Sequence, residues 1–245
     1  MIDIHTHILP DVDDGPKSWE VAVEMCRMAA ADGITHMVAA PHSNDRYSFD
    51  HHYLTDVLGR LRELVGNTVQ LSLGCDFHLS YDNLQSVLAH PEQYTIAGSR
   101  YLLVELSDYS IPAQIVDCFS KLGDLGITAV ITHPERNAIL RQNPQRVIEW
   151  VDCGCAVQIT ANALTGFWGQ RVARVAQWLL QREAVHVLAS DAHDAKHRTP
   201  ILSAGRDAAA EICGEDVANI LVGENPRAML SGLPLPYSPK PAVSG

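Results

Sequence analysis

Met1-Ile2-Asp3-Ile4-His5-Thr6-His7 opens the chain with two imidazoles two positions apart on an apolar segment, and Asp13 and Asp14 follow closely. Side chains alternate sides along a strand, so His5 and His7 point the same way and can share one metal ion. Alone, a His-x-His pair is a weak motif. It gains meaning because the same arrangement recurs down the chain. His42 follows Met37-Val38-Ala39-Ala40, Asp76 follows Val69-Gln70-Leu71-Ser72-Leu73, and Glu105 follows Leu102-Leu103-Val104. His133 follows Ala129-Val130-Ile131, and Asp191 and His193 follow Val185-His186-Val187-Leu188. Polar residues placed at random would not keep that phase, so the pattern reads as one site assembled from strand ends.

Between these runs lie helical patterns. Ser18 suits an N-cap for a helix that carries Val21, Met25, Met28 and Ala29 on one face and ends at Gly33. Leu54, Val57, Leu58, Leu61 and Leu64 mark a second helix over 50–65, closed by Gly66-Asn67. The alternation continues with helices near 82–89, 112–123, 144–153 and 169–182 and strands near 101–106, 128–132, 155–160 and 185–190. Helices near 200–212 and 215–222 complete the series, and Asn225-Pro226 reads as a stop. Strands separated by helical crossovers pair in parallel, and closing seven of them gives a barrel related to the eightfold one, with its active site at the carboxyl ends. The expected organisation is one α/β domain over 1–233, followed by a flexible Pro-rich tail over 234–245 that contains Pro234, Pro236, Pro239 and Pro241.

Composition bounds the function. The 245 residues are 47% apolar and 19% charged, an ordinary globular balance, and the formal net charge of -11 argues against a nucleic-acid surface. Six scattered cysteines read as free thiols in a reducing compartment. No leader pattern opens the chain, and no apolar run reaches the ~20 residues of a membrane span, so the expectation is a cytoplasmic protein without membrane insertion.

The strand ends together offer His5, His7, Asp14, His42, Asp76, Glu105, His133, Asp191 and His193 as metal ligands. This mixed nitrogen and oxygen set exceeds the needs of one ion and suits two or three divalent ions such as Mn, Fe or Zn. Clustered ions activate a water and clamp the attacking and leaving oxygens at phosphorus, which is phosphoester hydrolysis. Arg136 and Arg198 share loops with ligands, and guanidinium forks match phosphate oxygens, so both are assigned to phosphate binding. Cysteine-based phosphatase chemistry requires an Arg six positions after the nucleophile, and none of the six cysteines has one. A metal-activated hydroxide is the remaining nucleophile.

Other polar and aromatic residues read more plainly. His36 and His186 lie within strand runs as sheet or core residues, His51 and His52 begin a helix, and Trp168 and Trp178 read as packing residues. His78 shares the phase of Asp76 and is a further candidate at the site. Arg46, Tyr47 and Tyr109 fall in loops on the presumed active face.

At these motifs the chain resembles the PHP (polymerase and histidinol phosphatase) superfamily, and within it the CpsB/YwqE type of bacterial manganese-dependent protein-tyrosine phosphatases. The resemblance is carried by His5-Thr6-His7-Ile8-Leu9-Pro10 with Asp13-Asp14-Gly15, then Ala40-Pro41-His42, Leu103-Val104-Glu105, Thr132-His133-Pro134-Glu135-Arg136, Ser190-Asp191-Ala192-His193 and Asn225-Pro226. It implies a distorted (β/α)7 TIM-like barrel, the PHP fold, and manganese as the metal. It further implies one ion on His5, His7, Asp76 and Asp191, a second on Asp14, His42 and His193, and a third on Glu105, His133 and a bridging oxygen of Asp76. The family pattern has Glu where this chain has Asp76. The implied substrate is a phosphotyrosine protein, a bacterial tyrosine autokinase, in capsule or exopolysaccharide synthesis. A histidinol-phosphate or other small-molecule phosphatase on the same scaffold is the alternative, and a non-catalytic metal-stabilised interaction module is a further one.

Overall fold

The strands begin where the sequence turns from helical stripes to short β-branched runs. A computed structural model describes residues 1–239 and 241. Among them the strands are β1 (Ile2–Thr6), β2 (His36–Ala39), β3 (His42–Ser43), β4 (Gln70–Leu73), β5 (Asp76–His78), β6 (Tyr101–Glu105), β7 (Thr128–Thr132), β8 (Ala156–Thr160) and β9 (Val187–Ala189). All pair in parallel, in a three-stranded sheet β1-β2-β4 and a six-stranded sheet β3-β5-β6-β7-β8-β9. The result is a mixed α/β fold with parallel sheets.

The strands expected at about 35–40 and after Gly66-Asn67 are β2 and β4, and each is followed, after a two-residue break, by a further short strand, β3 or β5, in the other sheet. Ala40-Pro41 interrupts the first, and Pro41 has no N–H to give to a ladder. Gly74-Cys75 interrupts the second, where a Cβ on Gly74 would stand 2.9 Å from Val38 Cγ1, so a side chain there would force the Val38 methyl aside. The sheets stay in register across these breaks through backbone bonds from Gly74 N to Ala39 O (2.8 Å) and from Asp76 N to Pro41 O (3.1 Å). At the far edge, β1 meets the segment after β9 only near its carboxyl end. His7 N donates to Ala192 O at 2.8 Å, Asp191 N to His5 O at 2.9 Å, and Ser190 N to the Asp3 carboxylate at 3.0 Å.

Ser18 and Asp50 start their helices as side-chain caps, accepting from Val21 N at 3.4 Å and from Tyr53 N at 3.1 Å. Each satisfies a backbone donor that a helix start leaves unpaired. The helix Trp19–Ala31 buries Ala22, Met25, Cys26 and Ala29, whereas Val21 and Met28 flank that stripe and are only half-buried. In His51–Val65 the buried face is Leu54, Val57, Leu58, Leu61 and Val65; Leu64, expected on it, is 50% exposed because the stripe closes on its neighbour. No helix among the described residues is long and apolar enough to cross a membrane.

Asn225-Pro226 does not stop the helical series. Both residues lie in the first turn of a further helix, Glu224–Ser231, where a proline costs no intrahelical bond. The Asn225 side chain is buried and donates to His186 O and Tyr237 O at 2.7 Å each, while accepting from Tyr237 N at 3.0 Å. The tail thus runs extended along the bottom of the sheets as far as 239; residues 240 and 242–245 of the expected Pro-rich segment lie outside the described residues.

Candidate metal centre at the strand ends

Parallel register brings ligands from separate strands side by side. His42 pairs with Asp76 across β3 and β5, and His78 pairs with Glu105 across β5 and β6. Adjacent strands lie ~4.8 Å apart, so in-register side chains on one face meet without long reach. His5 and His7 do project together, with their Nε2 atoms 3.3 Å apart and both rings buried. The backbone turns abruptly where two further ligands leave their strands: His133 and Asp191 have φ of 33° and 51°, left-handed conformations that side chains other than glycine rarely adopt.

Three groups of these side chains have ligand atoms close enough to share an ion: His7, Asp14, His42 and His193; His5, His7 and Asp76; and His42, Asp76 and Glu105. Asp14 Oδ1 lies 3.3 Å from His193 Nε2 and 3.4 Å from His42 Nε2. Asp191 Oδ1 faces His7 Nε2 at 3.4 Å and His5 Nε2 at 3.6 Å, against the second group. The third group holds His42 where His133 was expected. His133 sits at its margin, with Nε2 3.8 Å from Glu105 Oε1, and His78 approaches the other Glu105 oxygen at 3.7 Å. All nine sequence-derived candidates thus lie in one cluster, and the three close groups depart from the implied ligand sets at His7, His42, His133 and Asp191.

The donor set fits divalent cations. Both oxygens of Asp76, fully buried, and the Nδ1 of His42 have no hydrogen-bond partner, although Asp76 Oδ2 and that Nδ1 stand 3.1 Å apart. Leaving buried polar atoms unpaired costs several kcal/mol in aggregate, roughly 1–3 each, unless a cation takes them as ligands.

Residues behind the cluster fix its rings. Asp13 Oδ2 accepts from His7 Nδ1 at 2.7 Å and from the His42 backbone N–H at 3.2 Å, and Asp13 Oδ1 accepts from Gly15 N at 2.9 Å. Gly15 is required in this turn, since a Cβ would stand 2.5 Å from His7 O. The Gln158 Oε1 lies 3.1 Å from His5 Nδ1, and Asp191 O lies 2.9 Å from His193 Nδ1. Such contacts leave Nε2 of each imidazole aimed at the ligand cluster. Sequence reasoning assigned nothing to Gln158, although it is the one polar side chain inside the apolar run Ala156-Val157-Gln158-Ile159.

The electrostatics follow from this packing. Burial works to lower the His7 imidazole, but the Asp13 charge and hydrogen bond outweigh it and raise the pKa to about 9; reciprocally, Asp13 falls to about 2 against its own burial. Burial likewise opposes ionisation of Asp191, yet Arg136, His5 and Arg198 hold its carboxyl well below the usual range. Burial and the nearby His7 charge bring His193 down to about 4.

Arg136 and Arg198 both grip Asp191 Oδ2, Arg136 through Nη1 and Arg198 through Nη2 at 2.7 Å. The Arg198 Nε is buried and unpartnered. Trp168 is more than a packing residue: its ring lies 4.3 Å from the Arg136 guanidinium carbon and 5.4 Å from that of Arg198, and its Nε1 donates to Asn162 Oδ1 at 2.7 Å. A cavity of about 390 Å³ opens here, lined by Glu105, His133, Arg136 and Trp168 among others. Tyr47 stacks on His42 at 5.9 Å with Arg46 over its outer face, whereas Tyr109 is 97% exposed. Trp178, His36 and His186 are away from the cluster, and His51 and His52 begin their helix as expected.

Fold and site together define a parallel α/β protein with a His/carboxylate cluster at its strand ends that could hold metal ions. Within that class the chain belongs to the CpsB/CapC family of capsular polysaccharide synthesis, whose model matches residues 1–231. A putative tyrosine-protein phosphatase CapC of Staphylococcus aureus is 35% identical over 204 residues, 81% of this chain and 79% of its own. The tyrosine-protein phosphatase CpsB of Streptococcus pneumoniae is 33% identical over 239 residues, 94% of this chain and 98% of its own. The fold superposes with a TM-score of 0.91, 27% identity and 100% coverage of both chains on a crystal structure from the pair YwqE of Bacillus subtilis and CpsB of Streptococcus pneumoniae, described as unique metal-dependent tyrosine phosphatases.

Proposed function

We propose that the chain is a metal-dependent phosphatase that hydrolyses phosphotyrosine in proteins, with capsule or exopolysaccharide synthesis as its setting. The observation that carries this reading is the pair of unpartnered, fully buried Asp76 oxygens at the meeting point of histidines from separate strands, beside two guanidiniums. The names of its relatives support the same activity. His5, His7, Asp14, His42, Asp76, Glu105, His133, Asp191 and His193 hold two or three divalent ions, with Mn preferred over Fe or Zn. When bound, such ions lower the pKa of a water and neutralise charge at phosphorus.

The chain's own residues then bind and orient. Arg198 Nε is a free cationic donor beside the cluster, and Arg136 lines the adjoining cavity, so the two guanidiniums hold the non-bridging phosphate oxygens. Asp191 fixes both guanidiniums from behind. A tyrosine phenolate, with a pKa of ~10, leaves without a strong general acid, so none is assigned. The strand arrangement is best described as an interrupted seven-stranded barrel, in which the bonds between β1 and the segment after β9 serve as the closing seam. Residues 1–233 form the catalytic domain. The substrate is the phosphorylated product of a bacterial tyrosine autokinase, in the reducing compartment that six free cysteines suit.

Metal analysis of the purified protein, joined to turnover on a phosphotyrosine peptide and on histidinol phosphate, tests this reading. Bound divalent metal with peptide turnover is expected. Preference for histidinol phosphate would replace the protein substrate by a small molecule, and metal binding without turnover of either would leave an interaction module.

A further inference from the structure

The cavity beside Arg136 does not end at the metal cluster. It opens onto a second hollow of about 400 Å³, and the two share Arg141 and Arg171 in their walls. Arg174 lies in the second hollow, one helical turn beyond Arg171, and Ala138, Gln142 and Val175 complete it; no carboxylate lines it. The helix Gln170–Gln181 buries Val172, Ala173 and Ala176 and turns Arg171 and Arg174 outward, both exposed. Neither has a carboxylate within ion-pair distance among the described residues. Arg141 is tethered, donating from Nη1 to Arg136 O, which couples the hollow to the phosphate-binding loop. Two acidic groups line the first cavity: Glu105, which faces the His/carboxylate cluster, and Asp108, engaged by the Ala138 backbone N–H at 2.8 Å.

A chain with net charge -11 carries only 18 Lys and Arg against 29 Asp and Glu. Gathering three arginines without counter-charges on one wall that leads from the site works against that balance. It creates a local positive field where the rest of the surface repels anions.

We infer that Arg141, Arg171 and Arg174 form a substrate shelf that selects phosphotyrosine segments flanked by acidic residues. The inference rests on the phosphatase reading above and deepens it. With the phosphate at Arg136 and Arg198, peptide leaving the first cavity passes over the shelf, and Glu or Asp side chains there pair with the exposed guanidiniums. Those pairs lie at the surface, so their contribution is modest, salt-sensitive and expressed in binding.

The experiment compares two phosphotyrosine peptides of equal length, one with Glu at the flanking positions and one with Gln, on the metal-loaded full chain. The wild type is expected to favour the Glu peptide by about tenfold in kcat/KM at low salt, mainly through KM, as two or three exposed ion pairs imply. Raising the ionic strength should erase most of that preference. In Arg171→Glu/Arg174→Glu the ratio between peptides should fall to one or below, and in Arg171→Gln/Arg174→Gln it should fall part of the way. Equal turnover of the two peptides by the wild type would overturn the shelf while leaving the phosphatase reading intact, as would a ratio unmoved by charge reversal. No turnover of either peptide or of p-nitrophenyl phosphate would overturn the phosphatase reading and the shelf together.

Discussion

The guanidinium carbon of Arg136 lies 4.3 Å from the centroid of the Trp168 ring, and the same ring faces Arg198 at 5.4 Å. One indole thus supports both cations that grip Asp191. Its Nε1 bond to Asn162 keeps the ring from turning away. Cation–π contacts are worth about 0.5–2 kcal/mol each, so removing the ring should loosen both guanidiniums. Trp168→Ala is expected to lower kcat/KM for a phosphorylated substrate by about tenfold with metal content unchanged, and Trp168→Phe, which keeps a π face, should recover most of the loss. Loss of bound metal in step with activity would instead give Trp168 a purely structural part.

Asp13 is in none of the three groups itself but holds the His7 ring from behind and the His42 backbone beside it. Partners of this kind typically tune metal affinity by about 10–100-fold. Asp13→Ala should therefore weaken metal binding by that order, read by titration into the metal-free protein, while the secondary structure by circular dichroism is unchanged. Asp76→Asn should do more, removing the charge shared by two of the ligand groups, and lower the number of ions bound per chain.

Chelation should abolish hydrolysis, and Mn should restore it. Thiol alkylation should not affect it, because Cys26, Cys75 and Cys155 are buried, and burial pushes the thiols of Cys26 and Cys155 up to about 12. Inactivation by iodoacetamide of the native, metal-loaded enzyme would count against a cysteine-free mechanism.

His186 sits in the core away from the cluster, with Nδ1 accepting from Val157 N at 3.1 Å, and burial lowers its pKa to about 4. The unfolded chain takes up this proton near pH 6.5, but the native state does not until about pH 4. Stability from this group is therefore complete above pH 6.5 and declines as the pH falls through the window to about 4, by about 1.4 kcal/mol per unit for one proton. Urea unfolding of the chelated protein at pH 7 and pH 5 should show a shallower decline in His186→Gln than in the wild type. Parallel declines would show that the imidazole titrates normally.

The clustering of the candidate residues was legible because strands deliver most of them in phase, just after apolar runs, and parallel register then brings His42 to Asp76 and His78 to Glu105. The helices were legible from their stripes, with errors such as Leu64 confined to the edge of a face. The second strand segments beyond Pro41 and Gly74 were not, and at Gly74 the break depends on the close approach of Val38, which only the tertiary fold sets. Nor was the grouping of these side chains, which places His42 rather than His133 close to both Asp76 and Glu105. Trp168 escaped for another reason: it stands in a turn after β8, and only the tertiary fold carries it to arginines from two other loops.

Asp76 belongs to two of the three ligand groups, and His7 and His42 to two each. Shared donors would make ion loading a linked equilibrium in which each occupied position changes the affinity of its neighbour, and by the same factor in both directions. An ion entering beside Asp76 draws on a charge its neighbour also needs, while it orders rings that the neighbour then finds already set. A centre loaded on these shared donors would respond to metal supply as a unit, so that scarcity would register as a change in the fraction of fully loaded molecules.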